Sequence, residues 1–559
     1  MARVTGAQVI CKALKLEGVK NIFTLAGDHI LPLLNEIADQ DFRLIDTRHE
    51  QAAVHMADAW NRITGQLGVC MYTTPGFANA VPGLTNATHS EGALLSIAGC
   101  ADLADLGRGA QQEIDQVGMA APAAKGSFMV HDARRIPDFI ARAARLAFSG
   151  RRGPVHLTIP IDVQEQEVDE SEVTFYKPEE SRANEKMLTS PELVRRAIAL
   201  LCEAQRPLVI AGSAAGYSLS GEALQNFIET VRFPVLTEEQ ARGLISDEHP
   251  YCFGFFERGL NRVAAKVRDA DLVALLGRKQ DFTIGFCRPP NVAADARIIQ
   301  VDPSPEEIGR NRAVAVGMVG DVACVLGQLT AEAAAHTWKE LPWLEELRAA
   351  RAAQAEWADG LGQAQTPMHA LFVHKTLESM LRPDDCLVFD GGDFCHFGRS
   401  FLRARQPKRW LYVSSLGMLG SSVPTALAAK LAYPNSRVIM LTGDGAFGFN
   451  GMEFDTAVRH KLNIVAVLGN DSAWGIDRQI QLGLYGRPVA TELLQARYEK
   501  VVEGLGGYGE FVARPDDLKP ALERAFASGR PALLNVAIQR AISPRAEAAI
   551  ARRKAAARK

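Results

Sequence analysis

Two carboxylates stand where long apolar stretches of the chain end. Asp444 lies between Gly443 and Gly445 after the stretch "RVIMLT", and Asp471 follows "NIVAVLGN" about a helix later. The carboxyl ends of parallel strands meet at one edge of a sheet, which is where ligands bind in open α/β sheets. Carboxylate oxygens suit Mg²⁺, which proteins commonly hold together with phosphate groups. The pattern therefore indicates a site for Mg²⁺ and a phosphate-bearing ligand, although two carboxylates that merely cap helices would look the same.

The composition argues against several classes of function. The chain has 559 residues and a net charge of -3, with 47% hydrophobic and 23% charged residues, so charge gives no general case for nucleic-acid binding. The nine cysteines contain no CxxC pair, so neither a zinc site nor a disulfide framework is indicated. The start of the chain lacks the apolar core of a signal peptide, and no apolar run is long enough to cross a bilayer. We therefore expect a cytoplasmic protein without nucleic-acid or membrane partners.

Apolar, β-rich stretches alternate with helical patterns along the chain, which is typical of α/β proteins with parallel sheets. A chain of this length is too long for one core. The pattern predicts three α/β domains with doubly wound parallel sheets, over residues 1–165, 190–330 and 365–540. A basic tail, residues 541–559, follows these domains, and Ser543 with Pro544 is a good helix start.

The motifs resemble those of a known superfamily. The run GDG followed by Asn-Asp is similar to the diphosphate and metal signature of thiamine-diphosphate-dependent enzymes. The first domain supplies the other half of that pattern in "DTRHEQAAVHMADAW" and "TTPGFANAVPGLTNA". Within the superfamily the chain most resembles the acetolactate-synthase-like branch, which includes 2-hydroxyacyl-CoA lyases, oxalyl-CoA decarboxylase and benzaldehyde lyase. The resemblance implies a pyrimidine-binding first domain, a central Rossmann-like domain and a diphosphate-binding third domain.

The resemblance also implies how thiamine diphosphate is held. Glu50 matches the glutamate that hydrogen-bonds the aminopyrimidine ring and so promotes loss of the thiazolium proton. A glutamate with this task in an apolar pocket is expected to have a raised pKa. Gly417 matches a backbone carbonyl that receives the pyrimidine amine, and Leu419 matches the apolar residue that bends the cofactor.

The family pattern assigns the metal ligands as well. Asp444 and Asp471 match the side-chain ligands of Mg²⁺, and the backbone carbonyl of Ala473 matches the third ligand. Relatives more commonly have asparagine as the second ligand. A shift of one residue would instead make Asn470 the ligand, and the thiamine assignment holds in either case.

Two polar residues are candidates for substrate chemistry. His29 follows the turn in "TLAGDHILPLL", and Gln111 lies in "RGAQQEIDQ". Benzaldehyde-lyase relatives pair a histidine and a glutamine in these two settings, where they handle the substrate hydroxyl. Gln112 follows at once and is a candidate for the same pocket. A histidine whose hydrogen bonds are satisfied in the core is the alternative interpretation of His29.

Basic clusters raise the question of coenzyme A. Oxalyl-CoA decarboxylase and the hydroxyacyl-CoA lyases close their C-terminal segments over CoA, whose phosphates would suit Arg545 and Arg552 in the tail. Arg403, Arg405 and Arg409, in "RSFLRARQPKRW", are candidates for the same phosphates. A solvated basic helix is the alternative interpretation of the tail.

The leading functional prediction is a thiamine-diphosphate-dependent lyase and carboligase that cleaves a 2-hydroxyacyl-CoA to formyl-CoA and an aldehyde or ketone. The alternative is a CoA-independent enzyme of the acetolactate-synthase or benzaldehyde-lyase type, acting on 2-oxo acids or 2-hydroxy ketones. A non-catalytic cofactor-binding module is a third hypothesis. The resemblance further implies a homodimer or homotetramer with active sites at the subunit interface. The central domain of relatives holds ADP, FAD or nothing, and Asp302 is either a ligand for a ribose hydroxyl or a helix cap.

Overall fold

The structure is a computed structural model, which describes residues 2–183 and 186–557. These residues form two compact units, each with its own internal contacts. The first unit comprises Met1–Glu185, Val413–Asn435 and Asn450–Ile464, and the second comprises Lys186–Tyr412, Ser436–Phe449 and Val465–Lys559. In the described residues no helix is both long and apolar enough to cross a membrane.

Three six-stranded sheets, each with parallel neighbours throughout, carry the fold, and they confirm the predicted doubly wound α/β class. A short antiparallel pair, β1 with β8, accompanies them. The strands are β1 Arg3–Thr5, β2 Asn21–Thr24, β3 Arg43–Asp46, β4 Gly68–Tyr72, β5 Leu94–Cys100, β6 Gly126–Met129, β7 Pro154–Pro160, β8 Glu167–Asp169, β9 Pro207–Ala211, β10 Val235–Thr237, β11 Cys252–Phe255, β12 Leu272–Leu276, β13 Arg297–Asp302, β14 Val316–Val319, β15 Cys386–Phe389, β16 Trp410–Tyr412, β17 Val438–Gly443, β18 Val465–Asn470, β19 Tyr508–Val512 and β20 Ala532–Ala537.

Helices connect the strands and cover the sheets. They are α1 Gly6–Leu16, α2 Leu31–Ala38, α3 Glu50–Thr64, α4 Thr74–Ser90, α5 Gln116–Ala120, α6 Ile136–Phe148, α7 Ile161–Glu165, α8 Pro178–Ser181, α9 Pro191–Glu203, α10 Ser213–Tyr217, α11 Gly221–Val231, α12 Val322–Ala333, α13 Trp343–Leu361, α14 Ala370–Glu378, α15 Asp393–Phe401, α16 Ser422–Ala432, α17 Asp444–Asn450, α18 Glu453–Arg459, α19 Gly475–Tyr485, α20 Tyr498–Gly504, α21 Pro515–Ala527 and α22 Pro544–Ala557.

The central strands are buried on both faces, which explains why they read as continuous apolar runs. Every residue of β5 and of β7 is buried in the first unit. Helix α6 turns one apolar face to this sheet, because Ile136, Ile140 and Ala144 recur at helical spacing. Full burial of a side chain such as Ile140 is worth roughly 1.5–3 kcal/mol. Packing of this kind, more than local propensity, fixes the helices on the sheets.

The strand order places a switch point in each sheet. The sheet of the first unit runs β3-β2-β4-β5-β7-β6, and the sheet with β17 has the same pattern, β16-β15-β17-β18-β20-β19. The central sheet runs β11-β10-β9-β12-β13-β14. Successive connections leave in opposite directions at β2/β4, β9/β12 and β15/β17, which opens a crevice beyond the carboxyl ends of those strands. The loops after these six strands are therefore where ligand-binding residues are expected.

Candidate active site

The predicted carboxylates meet at one edge of the sheet in the second unit. Strands β17 and β18 pair in register with Gly443 opposite Gly469, so Asp444 and Asp471 follow neighbouring strand ends. Asp444 is buried, and its Oδ2 has no hydrogen-bond partner among the described residues. Burial, together with repulsion from Asp471, raises the pKa of the Asp444 carboxyl to about 7. Burial also raises the pKa of Asp471 to about 6, although the Arg540 guanidinium lowers it. Two carboxyls in this setting fit a bound divalent cation, which would satisfy the orphan oxygen.

Asn470 is engaged elsewhere. Its Nδ2 donates to Oδ1 of Asn535 at 3.0 Å, and its Oδ1 accepts from the backbone N–H of Ser472 at 3.1 Å. The side chain thereby stabilises the turn after β18, where Ser472 has a φ of 56°. Asp471, one residue later, is the side chain that interacts electrostatically with Asp444. The geometry thus favours Asp471 over Asn470 as the partner of Asp444.

A third carboxyl, which the sequence reasoning did not single out, lies beside this pair. Asp393 begins α15 after β15, on the other side of the switch point, and it is buried. Burial and the nearby Asp471 raise its pKa to about 7, while Ser543 lowers it. Its signal in the sequence was available, since "CLVFDGGD" also ends an apolar stretch with acidic residues. Even so, no group of three His, Cys, Asp or Glu side chains within residues 2–183 and 186–557 is arranged to hold a metal ion.

Glycine is required at one position of the predicted diphosphate turn. A Cβ on Gly445 would lie 2.8 Å from the indole ring of Trp474, so a side chain there would displace that ring. A Cβ on Gly443 would have no atom within 4 Å, which leaves open space at this strand end. The turn can therefore accommodate a bulky group against the backbone at Gly443, while Gly445 permits close packing behind it.

Glu50 is the first residue of α3 in the first unit, and it is buried. Nδ2 of Asn79 donates to Oε2 of Glu50 at 3.1 Å. A Cβ on Gly76 would lie 2.7 Å from Oε1 of Glu50, so the glycine in "TTPGFANA" leaves room for the carboxylate. The two sequence motifs of the first domain thus meet here, one supplying the carboxylate and the other its surroundings.

His29 lies at the switch point of the same unit, after β2. Its Nδ1 is 3.0 Å from Oγ1 of Thr74, whose hydroxyl proton goes to the carbonyl of Gly99 at 3.0 Å. Gln116 also donates to Oγ1 of Thr74 at 3.0 Å. A second hydroxyl, Oγ1 of Thr73, lies 3.2 Å from the same Nδ1 and accepts from the backbone N–H of His29 at 3.3 Å. The imidazole is therefore held at Nδ1 by two threonine hydroxyls, and no described protein group hydrogen-bonds to Nε2.

The glutamine in this network is Gln116 rather than the predicted Gln111. Gln116 is buried at the start of α5 and accepts at Oε1 from the hydroxyl of Thr158 at 2.9 Å. Gln111 and Gln112 are both exposed and take no part in this network. Gln112 has a φ of 59°, a left-handed conformation at the tip of the loop. No local signal distinguishes Gln116, because its partners come from three different strand ends.

The predicted pyrimidine turn, residues 414–420, also belongs to the first unit. Gly417 has a φ of 75° and donates its N–H to the carbonyl of Ser414 at 2.9 Å. Oγ of Ser414 donates to Oδ1 of Asn86 on α4 at 2.8 Å, which anchors the turn. Gly417 is exposed and Leu419 half-buried, so both remain accessible in the isolated chain.

In the central domain, a side chain of the same domain occupies the space beside the glycine-rich turn. A Cβ on Gly212 would lie 2.7 Å from Cδ of Arg278, which is itself buried. Arg278 pairs with Glu238 and, at 2.9 Å, with Asp281. Asp302 is fully buried, and its Oδ1 accepts from the backbone N–H of Ser304 at 3.0 Å. This bond stabilises the turn before the short 3-10 helix Pro305–Glu307, whose N-cap residue is Ser304.

The basic residues predicted to meet phosphates fall into different settings. Arg405 pairs with Glu248 at 3.0 Å and with Glu378, and Arg403 pairs with the same two carboxylates at 3.5 and 3.2 Å. Arg409 donates to the carbonyl of Asp384 at 2.6 Å. These three arginines therefore already have carboxylate or carbonyl partners within the chain.

The tail forms the predicted helix, which begins at Pro544; residues 558–559 lie outside the described residues. Ser543 and Ala546 are buried, and Ile550 packs against Gly483 of α19. The guanidinium of Arg545 lies 3.7 Å from Glu257, and Arg552 is close enough to Arg258 to lower its pKa, although burial is the main cause. The helix is thus docked on the second unit, with an exposed face from 551 to 555.

A cavity of about 480 Å³ opens in the second unit. Its wall combines aromatic side chains, Phe253 and Phe255, with the charged side chains of Arg242, Arg351, Arg399, Arg403, Asp247 and Glu248. Arg242 pairs with Asp247 and Arg403 with Glu248. We call it the arginine cavity. The sequence reasoning missed it, because its residues come from distant parts of the chain.

Two arginines of this cavity have no carboxylate partner among the described residues. Arg399 is buried, its Nε lacks a hydrogen-bond partner, and its guanidinium lies 5.0 Å from the ring of Tyr412. Burial, reinforced by the nearby Arg545, lowers the pKa of Arg399. Arg351 is exposed and donates to the carbonyl of Cys252 at 3.3 Å. An anion would stabilise Arg399 in particular, since a buried cation is costly without a counter-charge.

Comparison with known proteins identifies the domains that carry these sites. Three family models match the chain: the N-terminal TPP binding domain of thiamine pyrophosphate enzymes at residues 4–119, their central domain at 194–329, and their C-terminal TPP binding domain at 390–536. The acetolactate synthase large subunit IlvG of Mycobacterium tuberculosis is 34% identical over 95% of both chains. Oxalyl-CoA decarboxylase of Escherichia coli is 32% identical over 95% of this chain and 94% of its own. The human 2-hydroxyacyl-CoA lyase 2 is 32% identical over 96% of this chain and 90% of its own.

The matched ranges include Glu50 in the N-terminal domain and both Asp444 and Asp471 in the C-terminal domain. The predicted resemblance, the predicted enzymatic nature and the predicted cofactor, thiamine diphosphate, are therefore confirmed. The chain belongs to the thiamine pyrophosphate enzymes, in the acetolactate-synthase-like branch, and is an enzyme of carbon–carbon bond cleavage or ligation.

Proposed function

We propose that the protein cleaves 2-hydroxyacyl-CoA to formyl-CoA and an aldehyde or ketone, and catalyses the reverse ligation. The observation that carries this proposal is the arginine cavity, with Arg399 and Arg351 free of carboxylate partners among the described residues. A CoA phosphate would neutralise them by charge-assisted hydrogen bonds, and the aromatic walls suit the adenine ring. Arg545, at the start of the tail helix, lies near Arg399 and also 3.7 Å from Glu257.

The reaction consumes no further reactant. The bond between C1 and C2 of the acyl group breaks, the C2 hydroxyl loses its proton and becomes the carbonyl oxygen of the aldehyde or ketone, and C1 gains a proton in formyl-CoA. Thiamine diphosphate, when bound, supplies the nucleophilic carbon and the electron sink for this cleavage. In the proposal Glu50 hydrogen-bonds the pyrimidine ring, and Nε2 of His29, whose ring is held at Nδ1 by the hydroxyls of Thr73 and Thr74, receives the hydroxyl proton. Gln111 would contact the same substrate from the exposed loop.

We assign the cation site to Asp444 and Asp471, with the carbonyl of Ala473 as third ligand and Mg²⁺ as the ion. The orphan oxygen of Asp444 and the separate engagement of Asn470 support this assignment. Hard oxygen ligands and a diphosphate are the combination that Mg²⁺ prefers. Gly443 and Gly445 would line the diphosphate, and Gly417 and Leu419 the pyrimidine.

The proposal includes a homodimer or homotetramer, with a second copy of this chain as the partner. None of the residues of α19 is buried, although this helix follows the proposed metal ligands and carries one apolar side. Tyr485, the last residue of this helix, is 71% exposed, and Leu494, further along the chain, is 85% exposed. Apolar side chains this exposed beside a functional edge mark an interaction surface.

Replacing Glu50 by glutamine tests the proposed role of its carboxylate. The isosteric Glu50→Gln variant should retain the fold and thiamine diphosphate binding, while turnover falls by about a hundredfold or more. Proton exchange at the thiazolium carbon, followed by NMR, measures the step directly. An exchange rate equal to that of the wild type would remove Glu50 from this role.

Replacing Asp444 by asparagine tests the cation site. Thiamine diphosphate affinity of the wild type should depend on Mg²⁺, and Asp444→Asn should weaken binding by about tenfold or more in the presence of the ion. Calorimetry with and without Mg²⁺ gives both affinities. Asp517→Asn is the matched control, because Asp517 is exposed on α21 and should leave them unchanged. Equal Mg²⁺ dependence in Asp444→Asn and the wild type would contradict the assignment.

Replacing Arg399 by methionine tests the CoA proposal and separates it from the CoA-independent alternative. Loss of one charge-assisted contact to phosphate should raise KM for a 2-hydroxyacyl-CoA by about tenfold or more. Cleavage of benzoin, which carries no phosphate, should be unaffected. Arg348→Met is the matched control, since Arg348 lies one turn before Arg351 on α13 and pairs with Glu345.

Truncation after Ala551 extends the same test, because it removes Arg552 and its basic neighbours while Ala546 and Ile550 stay in place. We expect a higher KM for the CoA ester and an unchanged rate with benzoin. If the full-length protein cleaves benzoin but ignores the CoA ester, the enzyme is of the CoA-independent type and the proposal is wrong.

A further inference from the structure

A buried carboxylate from a distant helix holds the loop that leads to Glu50. Glu453 begins α18, is 1% exposed, and belongs to the first unit, as Glu50 does. Its two oxygens accept from the backbone N–H of Arg48 at 3.0 and 3.1 Å. The hydroxyl of Thr456 donates to Oε2 at 2.6 Å. The side chain of Glu453 therefore holds the backbone of Arg48, two residues before Glu50, although Arg48 and Glu453 are 405 positions apart in the sequence. We call these hydrogen bonds between Glu453 and the Arg48 N–H the clamp.

The clamp acts at the start of α3, the helix that begins with Glu50. Its carboxylate lies at the N-terminal end of α3, where the helix dipole favours negative charge. The side chain of His49 separately caps α3 by accepting from the N–H of Gln51 at 3.1 Å, so the start of the helix is fixed from two sides.

Ion pairs enclose the clamp on its outer side. Arg459 pairs with Asp455 at 2.7 Å and with Asp46, and the Arg48 guanidinium lies 3.8 Å from Asp455. Nε2 of His460 donates to Oδ1 of Asp46 at 2.8 Å. These pairs are partly exposed and therefore contribute modestly, whereas Glu453 is the buried contact with the loop backbone.

We propose that Glu453 is a positioning residue, which orients the Glu50 carboxylate by fixing the backbone of residues 46–50. The inference rests on the proposed role of Glu50. It adds that the proton-transfer geometry at the pyrimidine ring depends on a carboxylate that itself touches neither cofactor nor substrate.

The clamp should depend on pH. Burial raises the pKa of Glu453 to about 6, against the lowering effects of Thr456, the Arg48 and His49 amides and Arg459. Because this pKa is raised in the folded protein, ionisation of Glu453 reduces stability as pH rises through about 6, and its stabilising effect is complete only below its unfolded value. The ionised form is nevertheless the better acceptor for the loop amides, so positioning improves over the same pH range in which stability falls.

The first test uses the cofactor-free protein. In Glu453→Gln one acceptor oxygen becomes an N–H donor, so the Arg48 amide should exchange with deuterium about tenfold faster than in the wild type at pH 8. Asp455→Asn, on the same helix, should leave this amide protected. Unchanged protection of Arg48 in Glu453→Gln would overturn the proposal, and far-UV circular dichroism checks that both variants are folded.

The second test compares thiazolium proton exchange in wild type and Glu453→Gln from pH 5 to pH 8. The rate ratio should be about tenfold above pH 7 and approach one at pH 5, since protonated Glu453 resembles glutamine. Contributions of Glu50, His49 and His460 are common to both proteins and cancel in the ratio. A ratio that is constant with pH would mean a merely structural role and overturn the proposal. If Glu50→Gln also leaves exchange unchanged, the proposed function fails, whereas a failure confined to Glu453→Gln leaves it standing.

Discussion

In the second unit, carboxyl groups are buried at one edge of the last sheet, where burial disfavours their charged form. Asp393, Asp444 and Asp471 follow three strands that meet at or beside a switch point, and burial raises the pKa of each carboxyl. Without a counter-charge, this arrangement would cost stability, and an apolar edge would be easier to fold. In the proposed function a cation would offset this cost and would also bind a diphosphate. The adjacent features follow from that need: the open backbone at Gly443, the close packing at Gly445 and the separate use of Asn470 to hold the turn.

The first unit has the same strand order but different side chains at its switch point. Its switch point contains a network of hydroxyl, imidazole and amide groups from Thr74, His29 and Gln116, and Glu50 is buried in the same unit. Such a network orients the His29 ring, which suits proton transfer. Two sheets of one topology thus carry complementary chemistry, because topology fixes where a ligand sits and the loops decide what is done to it.

The sequence predicted the parts of the molecule that are local. Apolar runs gave the strands, the GDG and Asn-Asp signals gave the sheet edge, and Ser543-Pro544 gave the start of the tail helix. It did not predict Gln116, Arg399 or Glu453, because each acts through contacts with distant segments. The density of basic residues in the sequence did not predict which arginine lacks a carboxylate partner, for a related reason. Arg403 and Arg405 stand out in the sequence but are paired with Glu248 and Glu378, whereas the single Arg399 lacks such a partner among the described residues.

The contrast between these arginines shows what kind of evidence bears on ligand binding. An exposed ion pair such as Arg405 with Glu248 gains little from its partner and would have to give it up for a phosphate. A buried guanidinium over aromatic rings has already lost its hydration, so an anion that reaches it gains the full electrostatic interaction without displacing a carboxylate. Arg399 therefore has more to gain from an anionic ligand than the more numerous arginines of the neighbouring cluster. The same reasoning applies to Glu453, whose burial makes its few hydrogen bonds to the loop strong enough to position a carboxylate two residues away.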